Sequence, residues 1–516
     1  MPRWSERIIV VGFGGQYMHL ITRRLREQGY YAEIVYYNML DEKKSFLEAE
    51  ETKAVILSGG PSSVYEENAP RIPGWLLELG KPILGICYGF QLLAYMLGGI
   101  VERGCMEYGR TMVELVGDGL GDPLFKGWGK RETTWMSHSD CVKKLPPGSQ
   151  VLAISENGYI AAARLAPGIY GVQFHPEVRH TPKGRMLLAN FAKLAGMRGG
   201  WSPENLVDEI VEDVRRRTQG GGKVLVAVSG GVDSTVTAVL LRKALGSRVK
   251  AVLVDHGLFR EGEVEESLEV LREAGIEPLV IDASKRFLEA LRGVSDPEEK
   301  RRIIGELFAR IFREVVEEDP EIKYLAQGTL YPDVIESGAE PGADRIKSHH
   351  NVGGLPSWLG LEVIEPLRWL YKDEVRRLAQ ALGLPRKIVY KHPFPGPGLA
   401  VRIIGEVTEE KLRIARRASK IVEEELQKAG LYEKVWQAFA VVGDDRWVGV
   451  KGDRREEGRI VIIRIVESED AMTADWSRIP HEILDKMARR ITSEVEGVTM
   501  VAYAITTKPP STIEPQ

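Results

Sequence analysis

Short apolar runs recur along the chain at the length of buried strands, and each is followed by a stretch with helical periodicity. Residues 8–11, 54–57 and 82–86 form one set, and residues 224–228, 249–254 and 277–281 form another. Runs this rich in Val, Ile and Leu suit strands covered on both faces, so the alternation predicts parallel α/β layers built twice. Between the sets, Leu194-Ala-Gly-Met-Arg-Gly-Gly-Trp-Ser-Pro203 marks a boundary near residue 199, with Ser202-Pro203 as a helix start. A second break falls at His392-Pro-Phe-Pro-Gly-Pro-Gly398, too rich in proline for a helix or central strand. Beyond it, helical stretches near 409–429 and 480–496 alternate with strands over 459–466 and 499–505. The expected fold class is α/β: two doubly wound, mostly parallel α/β domains (1–199 and 200–392) followed by a small α+β domain (393–516).

Composition narrows the function. The 516 residues are too many for one core. No apolar run approaches the roughly 18–20 residues of a membrane span, so no membrane role is expected. Met-Pro-Arg-Trp-Ser-Glu-Arg leads directly into the first strand and leaves no room for a signal peptide, so a cytoplasmic location is expected. Acidic residues outnumber basic ones by 74 to 70, and basic clusters such as Arg215-Arg-Arg217 sit among glutamates; a nucleic-acid partner is not expected and a small-molecule substrate is. Cys87, Cys105 and Cys141 show no metal-ligand spacing and are odd in number, so neither a disulfide nor a zinc scaffold is expected and at least one thiol is free to react.

Two motifs carry chemistry. In Val224-Leu-Val-Ala-Val-Ser-Gly-Gly-Val-Asp-Ser234, a buried strand stops at Gly230 and Gly231, which allow a close turn with exposed N–H groups, and Ser234-Thr235 begins a helix whose positive end faces a phosphate. Ser229 and Ser234 can donate to phosphate oxygens. Asp233 would repel them unless a cation lies between, so Asp233 is assigned to magnesium, and the cradle comprises Ser229, Gly230, Gly231, Val232, Asp233, Ser234 and Thr235. It is not the Gly-x-x-x-x-Gly-Lys loop of γ-phosphate transfer. Ser-Gly-Gly-x-Asp-Ser resembles the signature of N-type ATP pyrophosphatases, which implies cleavage between the α and β phosphates and activation of a substrate oxygen as its adenylate.

The second motif is Ile83-Leu-Gly-Ile-Cys87-Tyr-Gly-Phe-Gln91, a strand that turns sharply into a helix with Cys87 at the apex and Gly85 and Gly89 on either side. A helix N-terminus beneath the sulfur favours a thiolate, and the N–H of Tyr88 can face an oxyanion. Ser58-Gly-Gly-Pro61 ends the preceding strand and offers a second donor at Gly59 or Gly60. In Gly171-Val-Gln-Phe-His175-Pro-Glu177, residues i and i+2 of an extended segment share a face, so Glu177 can orient His175 while His175 deprotonates Cys87.

These segments resemble class I glutamine amidotransferases. The resemblance implies that Cys87 releases ammonia from glutamine through a glutamyl thioester, with Gln91, Ser137, His138 and Asp140 lining the glutamine pocket. The opening Val11-Gly-Phe-Gly-Gly-Gln-Tyr17 departs from the family's Asp-Phe-Gly-Ser-Gln-Tyr and receives no catalytic role.

Further motifs follow in one order: Lys300-Arg-Arg-Ile-Ile, Gln327-Gly-Thr-Leu-Tyr-Pro-Asp, Lys347-Ser-His-His-Asn-Val-Gly-Gly, Glu365-Pro-Leu-Arg-Trp-Leu-Tyr-Lys-Asp-Glu-Val-Arg376, His392-Pro-Phe-Pro-Gly-Pro-Gly, Met472-Thr-Ala-Asp-Trp476 and Lys508-Pro-Pro-Ser-Thr-Ile-Glu514. Together they resemble the GMP synthetase family over almost the whole chain. The resemblance implies Mg2+ with ATP as co-substrate, XMP as acceptor, and a homodimer through the C-terminal domain. Arg301, Asp453, Arg455, Lys508 and Glu514 are then the XMP contacts, and Lys347, His349, His350 and Lys391 serve the lid and pyrophosphate. The chain departs from the family where Glu514-Pro-Gln replaces Glu-Trp-Glu, Glu456-Glu457 replaces Thr-Tyr, and Asp255-His256-Gly257 replaces Asp-Asn-Gly. NAD synthesis is the alternative amidation, but it usually pairs this ATP fold with another glutaminase type. Sulfur transfer to tRNA would want cysteines that are absent after residue 141.

Overall fold

The computed structural model describes residues 6–15, 17–338, 360–468 and 473–516. They divide into two compact units, Met1–Asn205 and Leu206–Gln516.

The first unit is built on a nine-stranded sheet. Its strands are β1 (Arg7–Gly12), β2 (Ala32–Tyr36), β3 (Thr52–Leu57), β4 (Ile83–Ile86), β5 (Ile100–Leu115), β6 (Arg131–Lys144), β7 (Gln150–Ser155), β8 (Ile160–Ala166) and β9 (Ile169–Val172), in the order β2-β1-β3-β4-β9-β8-β7-β5-β6. The five strands from β2 to β9 run parallel. Ile8, Ile9, Val10 and Val11 are fully buried, as the apolar run requires.

The other four strands form an antiparallel extension that the apolar runs do not mark, so the doubly wound sheet is mixed. The reason lies in β5: Glu107 and Thr111 occupy buried positions while Met106, Tyr108 and Met112 are exposed, so polarity does not report the alternation. The pairing of β5 with β6 also corrects the cysteine expectation. Cys105 and Cys141, 36 residues apart in sequence, meet in a disulfide where β5 is irregular between Arg103 and Glu107, and Cys87 remains free.

The second unit contains a fully parallel sheet of β10 (Lys223–Ala227), β11 (Val249–Asp255), β12 (Leu279–Asp282), β13 (Ile322–Ala326) and β14 (Glu362–Ile364), ordered β12-β11-β10-β13-β14. A four-stranded sheet follows: β15 (Gln437–Lys451) pairs with β16 (Arg454–Glu467), which also carries β17 (Asp475–Trp476) and β18 (Val498–Tyr503). The helices Glu409–Lys428 and His481–Glu494 lie close to the expected ranges.

One core joins Leu225, Val252, Leu258 and Phe287 of the second unit's parallel-sheet layer to Leu399, Ile403, Ala440, Ile463 and Met487. The stretch 393–516, expected as a domain of its own, shares that core. Its proline-rich entry is not a solvent-exposed linker: Leu399 is buried and its N–H donates to the Leu258 carbonyl at 2.8 Å. Among the described residues no helix is long and apolar enough to cross a membrane.

Candidate active sites

β4 ends at Ile86, and Cys87 turns the chain with φ +52°, a left-handed value that a residue with a side chain adopts only where the surroundings hold it. The Cys87 N–H donates to Val172 O at 2.8 Å, and the Gly89 N–H donates to Ser58 O at 3.1 Å. Both flanking glycines are sterically required. A Cβ on Gly85 would lie 2.5 Å from Phe90 N, and one on Gly89 would lie 2.4 Å from Leu57 O. The helix Tyr88–Met96 begins at once, so its first N–H groups and partial positive charge face the buried sulfur.

On β9's continuation, His175 Nδ1 and Glu177 Oε1 lie 2.7 Å apart, both buried. The Thr181 hydroxyl donates to the His175 carbonyl at 2.7 Å, and Arg24 Nε donates to the Glu177 carbonyl at 3.1 Å, so this loop is fixed at both residues. Burial alone would drive the imidazole toward neutrality, but the Glu177 carboxylate and hydrogen-bonded Cys87 outweigh it and hold His175 well above its ordinary pKa. Cys87 is thus a second hydrogen-bond partner of this ring, beside Glu177.

A Cβ on Gly59 would sit 3.1 Å from His175 Cε1 and 3.7 Å from Cys87 Cβ, so the end of β3 lies against both groups. Gln173, which the sequence reading passed over, donates from Nε2 to Cys87 Sγ at 3.7 Å. Gln173 and His175 stand at i and i+2 of the same segment, the spacing that places His175 and Glu177 on one face. The Tyr17 ring stands edge-on to His175, with centroids 5.2 Å apart, which gives the divergent opening segment a packing role.

Of the four residues expected at the glutamine pocket, Ser137 reaches Cys87, and Gln91 and His138 are both tied to the Asp140 carbonyl. Cys87 Sγ lies 3.8 Å from the Ser137 carbonyl. Gln91 Nε2 donates to the Asp140 carbonyl at 2.7 Å, and Asp140 Oδ2 accepts from the Ser63 hydroxyl at 2.5 Å. His138 is buried between Glu107 (3.1 Å) and the Asp140 carbonyl (3.0 Å). The side chains of Gln91, His138 and Asp140 are therefore engaged within the wall, and Ser137 is exposed.

In the second unit, β10 delivers the phosphate loop at the carboxyl edge of its sheet, beside β11, where open α/β sheets take ligands. Gly230 has φ +69°, and a Cβ there would lie 2.1 Å from Ser267 Oγ. The Thr235 hydroxyl and N–H both donate to Gly231 O, at 2.8 and 3.0 Å, inside the first turns of the helix Val232–Leu245. Val232 is buried, while Ser229 is exposed and Ser234 is half-buried, 3.3 Å from it.

Asp233 Oδ1 is buried and has no hydrogen-bond partner among the described residues, while Oδ2 pairs with Lys372. One aimed carboxylate oxygen beside a phosphate cradle fits magnesium, which typically takes one or two carboxylates and completes its shell with phosphate and water. Lys372 belongs to the Glu365–Arg376 motif, which by itself assigns it no role. Its place across from Asp233 is a long-range fact that no local pattern carries. Lys391 pairs with Glu263 at 3.1 Å and reaches Gly230 O of the loop at 3.4 Å. Lys347, His349 and His350 lie outside the described residues. A cleft of about 480 Å³ at the end of β11 is lined by Asp255, Gly257, Phe259, Arg260, Ser284 and Arg416. His256 does not line it; its ring stacks on Phe259 with centroids 4.1 Å apart.

The expected acceptor residues fall in three places. Arg301 pairs with Glu298 on the helix Pro297–Glu318. Lys508 pairs its backbone with Ala474 (2.7 and 3.1 Å), joining two of the quoted motifs, and Glu514 binds Arg402. Asp453 and Arg455 are exposed at the tip of the β15–β16 hairpin. There Gly452 (φ +54°) and Asp453 (φ +63°) form a two-residue turn, so Gly-Asp has a backbone reason of its own.

A cysteine elbow with a Cys-His-Glu set in the first unit, and a parallel-sheet phosphate loop carrying Asp233 in the second, define a glutamine amidotransferase joined to an adenylating domain. Residues 9–195 match the family model "Glutamine amidotransferase class-I", residues 203–316 "NAD synthase", and residues 424–515 "GMP synthase C terminal domain". The chain is 65% identical over 513 residues to the "GMP synthase [glutamine-hydrolyzing]" of Pyrobaculum aerophilum, covering 99% of this chain and 100% of that protein. It is 52% identical to the protein of the same description from Thermomicrobium roseum (99% and 96% covered) and 51% to that from Aeropyrum pernix (99% and 98%). The chain belongs to the glutamine-hydrolysing GMP synthase family.

Proposed function

We propose that the chain makes GMP from XMP, ATP and glutamine. The observation that carries the reading is the hydrogen-bonded Cys87-His175-Glu177 set in a chain that also holds the Ser229–Thr235 loop with Asp233 aimed from it. His175 takes the Cys87 proton, the sulfur attacks the glutamine side-chain carbonyl, and the N–H groups of Gly59 and Tyr88 face the oxyanion. The imidazolium, stabilised by Glu177, gives its proton to the leaving ammonia, and water cleaves the thioester. Gln91, Ser137, His138 and Asp140 shape the glutamine pocket.

In the second unit the cleft beside β11 suits a nucleoside by size, and the loop N–H groups with Ser229 and Ser234 hold phosphates. The XMP O2 attacks the α-phosphorus, pyrophosphate leaves against Lys372 and Lys391, and ammonia then displaces AMP from C2. Magnesium, when bound, neutralises phosphate charge, and Asp233 is the residue to hold it. Arg301, Lys508 and Glu514 are the XMP contacts, with Asp453 and Arg455 on the hairpin. The stretch 393–516 is also the dimerisation region: β15 is an edge strand that leaves Trp447 52% and Val450 74% exposed. A cytoplasmic setting suits these soluble substrates.

The test supplies XMP, Mg-ATP and glutamine and identifies GMP by mass. Cys87→Ala is expected to lose glutamine as nitrogen source and keep ammonium. Equal loss with both sources overturns the division of labour.

A further inference from the structure

Segment 506–516 is clasped by three buried cations, Arg464, Arg402 and Lys300, none of which the motifs alone assign a role. Arg464 on β16, 5% exposed, donates from Nη1 to the Thr506 carbonyl at 2.6 Å and from Nη2 to the Thr512 carbonyl at 3.0 Å. Arg402, 1% exposed, binds both carboxylate oxygens of Glu514 at 3.0 and 3.1 Å, and its guanidinium lies 4.1 Å from the centroid of Phe439. Lys300, fully buried, donates to Gln516 Oε1 at 2.5 Å and to the carbonyls of Ala400 and Ile403. Gln437 completes the Glu514 shell, donating from Nε2 to Oε1 at 2.7 Å.

A buried cation whose partner departs is left uncompensated at high cost, so the core holds this segment in place from three directions. The planar Arg402 fork fixes the orientation of the Glu514 carboxylate as well as its position. Glu514 nevertheless keeps a side chain 20% exposed, so an oxygen lone pair remains open to a ligand.

We infer that Arg402, Arg464 and Lys300 are positioning residues of the acceptor site: they lock segment 506–516 so that the Glu514 carboxylate is aimed at the ring N–H groups of the xanthine base. The inference rests on the reading that Glu514 contacts XMP. A carboxylate accepts from a xanthine N1–H and repels the N1 lone pair of adenine, so the lock also separates the acceptor nucleotide from ATP.

The experiment compares Glu514→Gln, Arg402→Lys and Arg464→Lys in the full chain, with ammonium as nitrogen source. Arg402→Lys keeps the charge and loses the two-pronged grip. A rise of about 10-fold or more in the KM for XMP, with a smaller change in kcat and no change in the KM for ATP, is expected for Arg402→Lys, at a cost of one lost aimed contact. Arg464→Lys is expected to act in the same direction, and it carries the test if Arg402→Lys does not fold. In the unmodified protein, XMP is expected to slow amide hydrogen exchange across 506–516 while ATP alone does not. If Glu514→Gln raises the KM for XMP and neither arginine variant does, the positioning inference is wrong and the contact stands. If Glu514→Gln leaves that KM unaltered, the contact itself is wrong. Exchange across 506–516 that ignores XMP also overturns the inference.

Discussion

Replacing Glu177 with Gln isolates the electrostatic part of the glutaminase site, because the amide keeps the shape and an oxygen for the His175 Nδ1–H but removes the charge. Both partners are buried and lie 2.7 Å apart. A hydrogen bond to a charged group contributes about 1.5–3 kcal/mol, and about 1.4 kcal/mol is a factor of ten in rate. The Glu177 charge stabilises the imidazolium that pairs with the Cys87 thiolate and then protonates the leaving ammonia, so kcat/KM for glutamine hydrolysis is expected to fall roughly 10- to 150-fold. Glutamate release reads that fall directly, and ammonium-dependent GMP formation in the same preparation reports that the second unit is intact. The sign of the titration is fixed too. In the unmodified protein the carboxylate holds the His175 pKa up against burial; in the variant burial remains and the charge is gone, so the imidazole titrates at lower pH by NMR. Undiminished glutamate release, or equal decline of both reactions, refutes the reasoning.

Lys372→Met should cut XMP-dependent release of pyrophosphate from ATP roughly 10- to 100-fold, the loss of one charge-assisted contact to a leaving phosphate; pyrophosphate release at the unmodified rate would remove Lys372 from the site. Acid should weaken the second unit through Glu263. Desolvation pushes its carboxyl up, but Arg260 and Lys391 overcome this and set it at about 2, below the ordinary 4.5. A depressed folded pKa means stability that is complete above about 4.5 and lost as pH falls toward about 2, so the urea-midpoint gap between the unmodified protein and Glu263→Gln should close across that window. A gap that stays constant through it contradicts the assignment.

What was legible in the sequence is what local chemistry alone dictates. The apolar runs at 8–11 and 224–228 became central strands because a parallel strand covered on both faces admits little else. The elbow at Cys87 was readable from Gly85 and Gly89, since any Cβ there would strike Phe90 or Leu57. The antiparallel strands β5 to β8 were not readable, because buried Glu107 and exposed Met106 invert the usual signal, and the Cys105–Cys141 disulfide was missed with them.

The helix Pro297–Glu318 marks the limit most sharply. Lys300, Arg301 and Arg302 are three consecutive cations, and the family resemblance favours Arg301. The helix turns Arg301 and Arg302 to Glu298 and Glu306 and points Lys300 into the core. Burial, with help from nearby Lys411, lowers that lysine to about 8, a state tolerable only because carbonyls and Gln516 meet its N–H groups. Consecutive positions on a helix differ by about 100°, so three identical charges in a row must face different surroundings. Which one is buried depends on what the rest of the fold brings to that face. Here it is the segment carrying Glu514, more than 200 positions away in the chain, which no window on the sequence spans.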